Sequence, residues 1–339
     1  MKLLSSFIIL ASCIVFLSSQ VYAQKRSNRK LKKRLYTFTA KKKYLSIGGS
    51  INAMNYFGDI VPKTSAGSTD IQFTRPQFTV YGQKRLHPNI TARVGLSWGR
   101  LIAEDFGTAD PSDTENGIFR YQRNLSFRND IVELSAIAMW DLFGNYGVFY
   151  RRPKKPIPYV FAGVAGFYHN PKGKAPETTI DGEPLEEAGK WVALQPLKTN
   201  GEKYSRFAFA IPAGVGVRVR VSPYIDIAAE IGYRFTFTDY LDDVSGVYLD
   251  KQVFGDDNLA KAMHDRSWEP TSGLKGETRP AEYVPGLISL NDGTDNMYTR
   301  NSVPGAVRGK PDNDAYLITG FHFIYLFQGA LKTPKTGFR

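Results

Sequence analysis

The chain has 339 residues, of which 42% are hydrophobic and 13% aromatic, and its formal net charge is +12. After the N-terminal 23 residues no stretch approaches the roughly 18 consecutive apolar residues of a transmembrane helix, which excludes helical membrane spans. The abundance of Gly (31), Tyr (19) and Phe (22) is typical of a membrane β-barrel, whose strands alternate apolar and polar residues and give a weak hydropathy signal.

Residues 1–23 have the pattern of a secretory signal peptide, with an apolar core from Phe7 to Leu17 and a small-x-small sequence that ends at Ala23. An alternative interpretation treats residues 10–13 as a lipobox, which would place a lipid on Cys13. Because Cys13 is the single cysteine, cleavage after Ala23 leaves a mature chain with none. Disulfides and cysteine-based sites are then excluded.

Residues 24–43 form a basic N-terminal tail that is expected to lie in the periplasm. It holds ten Lys or Arg, no acid occurs before Asp59, and without this tail and Lys2 the net charge is +1. The expected partners are outer-membrane lipid, lipopolysaccharide phosphate or an acidic protein, and no nucleic acid, which an exported chain rarely meets. The residues expected to dock a partner or lipid are Lys30, Lys32, Lys33, Arg34, Lys41, Lys42 and Lys43.

Eight segments alternate with period two, which predicts β-strands. In the sixth, for example, Phe207, Phe209 and Ile211 alternate with Ala208 and Ala210. The fifth is apolar and rich in glycine on both faces, so its orientation stays open. The predicted strands are residues 44–54, 75–84, 90–102, 130–142, 157–168, 207–221, 225–238 and 315–327.

The connections between these segments are alternately long and short. Short links follow the second, fourth and sixth segments, whereas the longest link covers residues 239–314. This pattern, with an apolar outer face, predicts an all-β fold for residues 44–327: an eight-stranded antiparallel transmembrane β-barrel with short periplasmic turns and long extracellular loops. An even strand number places both termini, including the C-terminal tail 328–339, on the turn side. A soluble antiparallel barrel is the alternative, but its outer face would be polar.

Charged residues at inward positions predict a filled lumen. The interior of an eight-stranded barrel has room for little besides side chains, and buried charges must pair. The expected lumen charge pairs use Glu133 and Glu230 with Arg93, Arg218, Arg220 and Arg234.

No catalytic, cofactor or metal site is expected. His322 falls at an inward position and is interpreted as a packing or hydrogen-bonding residue. Asp239, Asp242 and Asp243 do not have the spacing of a calcium loop, so they are expected to be solvated surface acids. A divalent cation bridging them to lipopolysaccharide is the alternative.

Four blocks of sequence resemble the PorG family of outer-membrane barrels of the type IX secretion system in Bacteroidetes. They are NYFGD at 55–59, DIVELS at 130–135, PYVFAGV at 158–164 and EIGYRFTFTDYLDDVS at 230–245. The resemblance implies a non-enzymatic barrel that associates, on the periplasmic side, with a ring formed by a lipoprotein and its partner protein. The long basic tail and the 239–314 loop depart from the family pattern. The alternative functions are a stand-alone surface barrel, either an adhesin or a receptor, and an outer-membrane lipid-modifying enzyme.

Overall fold

The computed structural model describes residues 42–61, 71–147, 152, 154–290 and 297–327, and its main feature is a closed antiparallel sheet. The signal peptide, most of the basic tail and the C-terminal tail lie outside the described residues. The barrel strands are β1 (Leu45–Phe57), β2 (Arg75–Arg85), β3 (Ile90–Glu104), β4 (Ser126–Asp141), β5 (Ile157–Tyr168), β6 (Phe207–Arg220), β7 (Ile225–Thr236) and β8 (Ala315–Phe327).

Each strand pairs with two neighbours, so these eight strands have no free edge. β1 pairs with β2 and with β8, where Ile51 lies opposite Phe321. β3 pairs with β4, and the sheet continues through β5, β6 and β7 back to β8. Closure satisfies the backbone hydrogen bonds between strands, which a sheet needs in order to cross a bilayer.

The outer face of the barrel is apolar. Ile51 and Phe321 are 66% and 72% exposed, values that in water would leave a large unstable surface. Trp140 and Tyr325 are exposed near the turn end, and aromatic pairs such as Phe78 with Trp98 and Tyr168 with Phe207 lie near the loop end. Two aromatic bands around an apolar wall are the surface of a transmembrane barrel.

The four long connections are named L1 (58–74), L2 (105–125), L3 (169–206) and L4 (237–314), and their described residues lie at one end of the barrel. They contain the helices α1 (Asp105–Thr108), α2 (Gly117–Arg123), α3 (Leu194–Leu197) and α4 (Asn258–His264), the 3-10 turns Ile71–Phe73, Lys251–Phe254 and Ala281–Tyr283, and the hairpins Pro171–Lys174 with Trp191–Ala193 and Leu287–Ser289 with Met297–Thr299. Within the described ranges, no helix has the length and hydropathy needed to cross a membrane.

The predicted fold class is confirmed, and the strand ends differ mainly at the loop end. β1 continues to Phe57, where 54 was predicted, and β7 ends at Thr236, where 238 was predicted. β3 extends to Glu104 and β4 begins at Ser126, where 102 and 130 were predicted. The added residues extend the pairing of β3 with β4 beyond the apolar band, where residues 101–104 are all buried, so the alternation that marks a lipid-facing strand is absent. The open orientation of β5 is also settled, since Val160 and Val164 face outward while Tyr159 and Phe161 are buried in the lumen.

Candidate functional site: a filled lumen beneath a folded loop cap

The middle of the lumen is organised around Glu230 on β7. Arg93 on β3 donates to both carboxylate oxygens, with Nη1 at 2.9 Å from Oε2. Tyr159 donates to Oε1, and His322 Nε2 lies 3.3 Å from Oε2. His322 Nδ1 is 3.0 Å from the Tyr81 hydroxyl. Side chains from three other strands therefore contact one buried carboxylate, and Tyr81 of β2 contacts the imidazole of His322.

Glu133 on β4 has its own partners. Its Oε2 accepts a hydrogen bond of 2.6 Å from the Tyr316 hydroxyl and lies 3.6 Å from Arg234 Nε. All three residues are buried. Glu133 and Glu230 thus each lie beside one of the arginines expected to pair with them.

The other two arginines of the predicted set lie at the turn end. Arg218 donates to both oxygens of Asp141, at 2.8 and 2.7 Å, because it lies below the level of the glutamates. Arg85 shares the same carboxylate at 3.1 Å. Arg220 donates to the backbone carbonyls of Ser222 and Arg152. The turn-end acid is therefore an aspartate, which the expected set of pairs did not include.

These pairs leave little free space inside the barrel. The cavity between Arg93, Glu133, Glu230 and His322 has a volume of about 20 Å³, enough for about one water molecule. Above it, Met54, Leu101 and Phe127 form part of an apolar cluster that continues into the loops.

We expect the unmodified protein to give no large, steady conductance in planar bilayers, because paired charges and apolar side chains fill the lumen. The measurement is single-channel recording at protein-to-lipid molar ratios that span several hundredfold. A porin prepared in the same detergent is the positive control. Steady open channels from the heat-modifiable, folded protein would contradict a filled lumen.

The basic tail is represented in the structure by its end. Lys42 is partly buried and Lys43 is exposed, two residues before Leu45 at the start of β1. Lys30, Lys32, Lys33, Arg34 and Lys41 lie outside the described residues. Lys84, Lys154 and Lys155 are also exposed, and all three lie at the turn end of their strands or in a turn.

A cap formed by all four loops covers the other end, and Arg123 of α2 lies at its centre. Arg123 makes two hydrogen bonds of 2.8 and 2.7 Å to Asp105. It also donates to the backbone carbonyls of Arg308 and Asp59, at 2.6 and 3.1 Å. One buried guanidinium therefore connects L1, L2 and L4.

Arg308 and His264 extend this network to L3. Arg308 donates to the side chain of Asn200 and, at 2.8 Å, to the carbonyl of Asp243. His264 Nε2 accepts from the backbone N–H of Leu249, so the imidazole is neutral and Nδ1 donates to the Thr199 carbonyl at 2.6 Å. Burial accordingly lowers the pKa of His264 to about 3.

The expectation of solvated acids in L4 is wrong for Asp242 and Asp243, each of which is 1% exposed. Tyr56 on β1 contacts both Asp242 and Asp314, with its hydroxyl 2.6 and 2.8 Å from their carboxylate oxygens. Burial raises the pKa of Asp242 well above its usual range. The folding of L4 over the lumen buries these acids, and a local sequence pattern does not contain that information.

Asp243 gives the cap a pH dependence with a defined sign. Burial raises its pKa to about 6, although Arg308 and hydrogen bonds from Thr199 and Tyr204 oppose the shift. Because the folded-state pKa exceeds the unfolded one, the contribution to stability is full below about pH 4 and is lost as the pH rises through about 6.

In the unmodified chain the free energy of cap unfolding should fall between pH 4 and pH 7. We expect this fall to be smaller in Asp243→Asn, by up to about 3 kcal/mol. Asparagine tolerates the left-handed backbone of this position, where φ is 67°. The measurement is urea unfolding followed by near-ultraviolet circular dichroism at both pH values. His264 contributes to the pH dependence with the opposite sign, but it does so equally in both chains. The difference in pH dependence between the two chains therefore reports Asp243 alone. Equal pH dependence of the two chains would exclude this role.

The described part of the chain holds no group of three or more His, Cys, Asp or Glu side chains suited to a metal ion. His169 and His264 are buried in the cap, and His322 lies in the lumen. The sequence interpretation missed Arg85 and Tyr159 as lumen residues and did not include Asp226 among the lumen charge pairs. Period-two alternation was the available signal, because it places each of them inward.

The closed sheet, the apolar wall between two aromatic bands and the filled lumen define an eight-stranded transmembrane β-barrel. Barrels of this construction span bacterial outer membranes, which locates the protein there, with its turns toward the periplasm and L1 to L4 outside the cell.

Solved structures with a similar fold are outer-membrane and surface proteins. Neisserial surface protein A is 10% identical, with 84% of this chain and 97% of that chain covered and a TM-score of 0.34. Ail of Yersinia pestis, in complex with the heparin analogue sucrose octasulfate, is 7% identical, with 84% and 99% covered and a TM-score of 0.31. OprG of Pseudomonas aeruginosa is 6% identical, with 85% and 97% covered and a TM-score of 0.32. No protein family and no curated protein matches the sequence.

Proposed function

We propose that this chain is a non-enzymatic outer-membrane barrel that acts as a structural and interaction subunit through its two ends. The observation that carries the proposal is the filled lumen, in which Glu230 and Glu133 are buried beside arginines beneath a folded cap. A barrel without an open interior offers a partner only its outer wall, its cap and its turn end.

The process that we propose for this subunit is type IX protein secretion. The support is the resemblance of four sequence blocks to the PorG family. Two of these blocks meet in the fold, since Tyr56 of block 55–59 donates to Asp242 of block 230–245 at 2.6 Å. Residues of these two blocks therefore connect strand β1 of the barrel to L4 of the cap.

The proposed partners are periplasmic lipoprotein ring components at the turn end and outer-membrane lipid and lipopolysaccharide around the wall. The charge distribution supports the first. Lys43, Lys84, Lys154 and Lys155 are exposed at the turn end, while Asp141 and Asp226 are buried beside arginines. Such a surface favours an acidic protein as partner.

The test is affinity purification of the tagged full chain from outer membranes solubilised in mild detergent, followed by identification of the retained proteins. Recovery of a periplasmic lipoprotein together with secretion components is the expected result. A chain that elutes without protein partners, from cells whose secretion does not change on its deletion, would contradict the role in secretion.

We expect deletion of residues 25–42 to leave a folded, heat-modifiable barrel but to weaken recovery of the periplasmic partner. The deletion removes nine positive charges, and charge-based docking is screened by salt. The measurement compares partner recovery from the full and truncated chains across a salt series. Identical recovery at every salt concentration would show that the tail does not dock.

A stand-alone surface barrel, an adhesin or receptor, is the second candidate. The observation that favours it is the ordered cap, whose surface includes Val307 and Val247, 72% and 45% exposed and joined by a β-bridge. Binding of intact cells to host or matrix proteins that is lost with substitutions at these valines would favour this candidate.

A further inference from the structure

A basic patch lies on the outer wall of the barrel, at the membrane side of the cap. It consists of Arg100, Arg128, Lys172 and Lys174 with Trp191, and is called the outer basic patch. All five side chains are partly exposed.

Strand register fixes the position of the patch relative to the bilayer. Trp98 lies opposite Val132, and both face lipid. The next outward pair along the strands is Arg100 with Asp130, about 6–7 Å beyond Trp98. Arg128 follows one further step along β4. The patch therefore begins directly beyond the aromatic band, at the level of lipid headgroups.

The hairpin of L3 continues the same face. Lys172 lies directly opposite Arg128, and Lys174 lies opposite Trp191. Gly173 between the two lysines faces the other way, against the side chains of Met263 and Leu194 in the cap. Both lysines thus share the outward face of Arg128.

The patch has an excess of positive charge. Its acid, Asp130, is held by Arg100 through contacts of 2.6 and 3.2 Å. Among the residues that the structure describes, no carboxylate forms an ion pair with Arg128, Lys172 or Lys174. Nε of Arg128 is buried without a hydrogen-bond partner, and its guanidinium lies 4.2 Å from the centre of the Trp191 ring. The stacking holds a guanidinium ready for an anion.

The longest loop of the cap has the opposite charge. L4 contains 14 acidic and 8 basic residues, so its net charge is −6. Unpaired cations that cluster at the membrane edge of a cap with an acidic loop indicate an anionic ligand at that edge.

We propose that the outer basic patch binds a phosphate group of the phosphorylated glycolipid of the outer leaflet. Arg128 forms charge-assisted hydrogen bonds to the phosphate, and Lys172 and Lys174 neutralise the remaining charge. The proposal rests on the proposed partnership of the wall with lipopolysaccharide and not on the role in secretion, so binding of lipid A and the role in secretion can fail separately.

The experiment titrates the full chain, folded in detergent micelles, with bisphosphorylated lipid A and with the same lipid after removal of its phosphates. R128Q/K172Q/K174Q is compared with K84Q/K154Q/K155Q, which removes three charges at the turn end. We expect the first variant to bind bisphosphorylated lipid A about a hundredfold more weakly, since each of its three basic residues near an anionic surface contributes on the order of a fivefold factor. The second variant should retain affinity within about twofold.

K172Q/K174Q keeps Arg128 over Trp191 and replaces the triple variant if that variant does not fold. Its affinity for bisphosphorylated lipid A should fall by on the order of tenfold. The proposal is overturned if both triple variants weaken binding equally, or if dephosphorylated lipid A binds as tightly. If inorganic pyrophosphate displaces lipid A at the same phosphate concentration, the patch binds free phosphate groups, and the assignment of the ligand to a lipid is wrong.

Discussion

Replacement of Glu230 by leucine is expected to lower the free energy of unfolding by about 3–5 kcal/mol, because it leaves Arg93 charged and unpaired inside the barrel. Arg93 is 5% exposed, and its two hydrogen bonds to carboxylate oxygens both go to Glu230. The measurement is urea unfolding of the refolded full chain in lipid vesicles.

Two further chains make this result specific. Glu186→Leu alters an exposed glutamate of L3 and should change stability by no more than about 0.5 kcal/mol. The double variant Glu230→Leu/Arg93→Met removes both charges and should recover most of the loss. If Glu230→Leu is as stable as the unmodified chain, the buried pair does not organise the lumen.

Arg123→Met is expected to open the cap while the barrel stays folded. The substitution leaves Asp105, which is fully buried, without its guanidinium partner and removes the hydrogen bonds to L1 and L4. The local cost is about 3–5 kcal/mol. Limited proteolysis of intact cells should then cut within L2 and L4 at protease concentrations that leave the unmodified cap whole.

Arg300→Met is the matched control, because Arg300 is an exposed arginine of L4. Its proteolysis pattern should equal that of the unmodified chain. If Arg123→Met and Arg300→Met are equally resistant, or if Arg123→Met loses heat-modifiability, then Arg123 is not a specific connector of the loops.

The barrel could be predicted from the sequence because lipid on one side and a packed lumen on the other impose a period of two on each strand. That constraint disappears above the bilayer, and there the predictions fail. β3 and β4 continue as a pair from 102 to 104 and from 126 to 128, where all but one of the side chains are buried and neither segment alternates. Asp243 is buried by contacts with Thr199 and Tyr204, some 40 residues away in sequence, which no local pattern reveals.

In the lumen, alternation predicts which residues face inward but not which of them form pairs. Alternation placed Glu230, Arg93 and Arg218 inward, but partner choice depends on height along the barrel axis. Strand stagger sets that height, so it brings Arg93 to Glu230 and Arg218 to Asp141. Tyr159 and Tyr316 complete these networks, and aromatic residues at inward positions give no charge signal in the sequence.

The central claim, that the protein works by binding a periplasmic partner at its turn end, is tested most directly by photo-crosslinking in living cells. A photoreactive amino acid is placed at Lys43 in one chain and at Val307 in another, since both side chains are exposed at opposite ends of the molecule. The claim predicts a discrete adduct with a periplasmic lipoprotein from position 43 and none with it from position 307. Adducts from position 307 alone, with proteins from outside the cell, would contradict it and identify the cap as the binding surface.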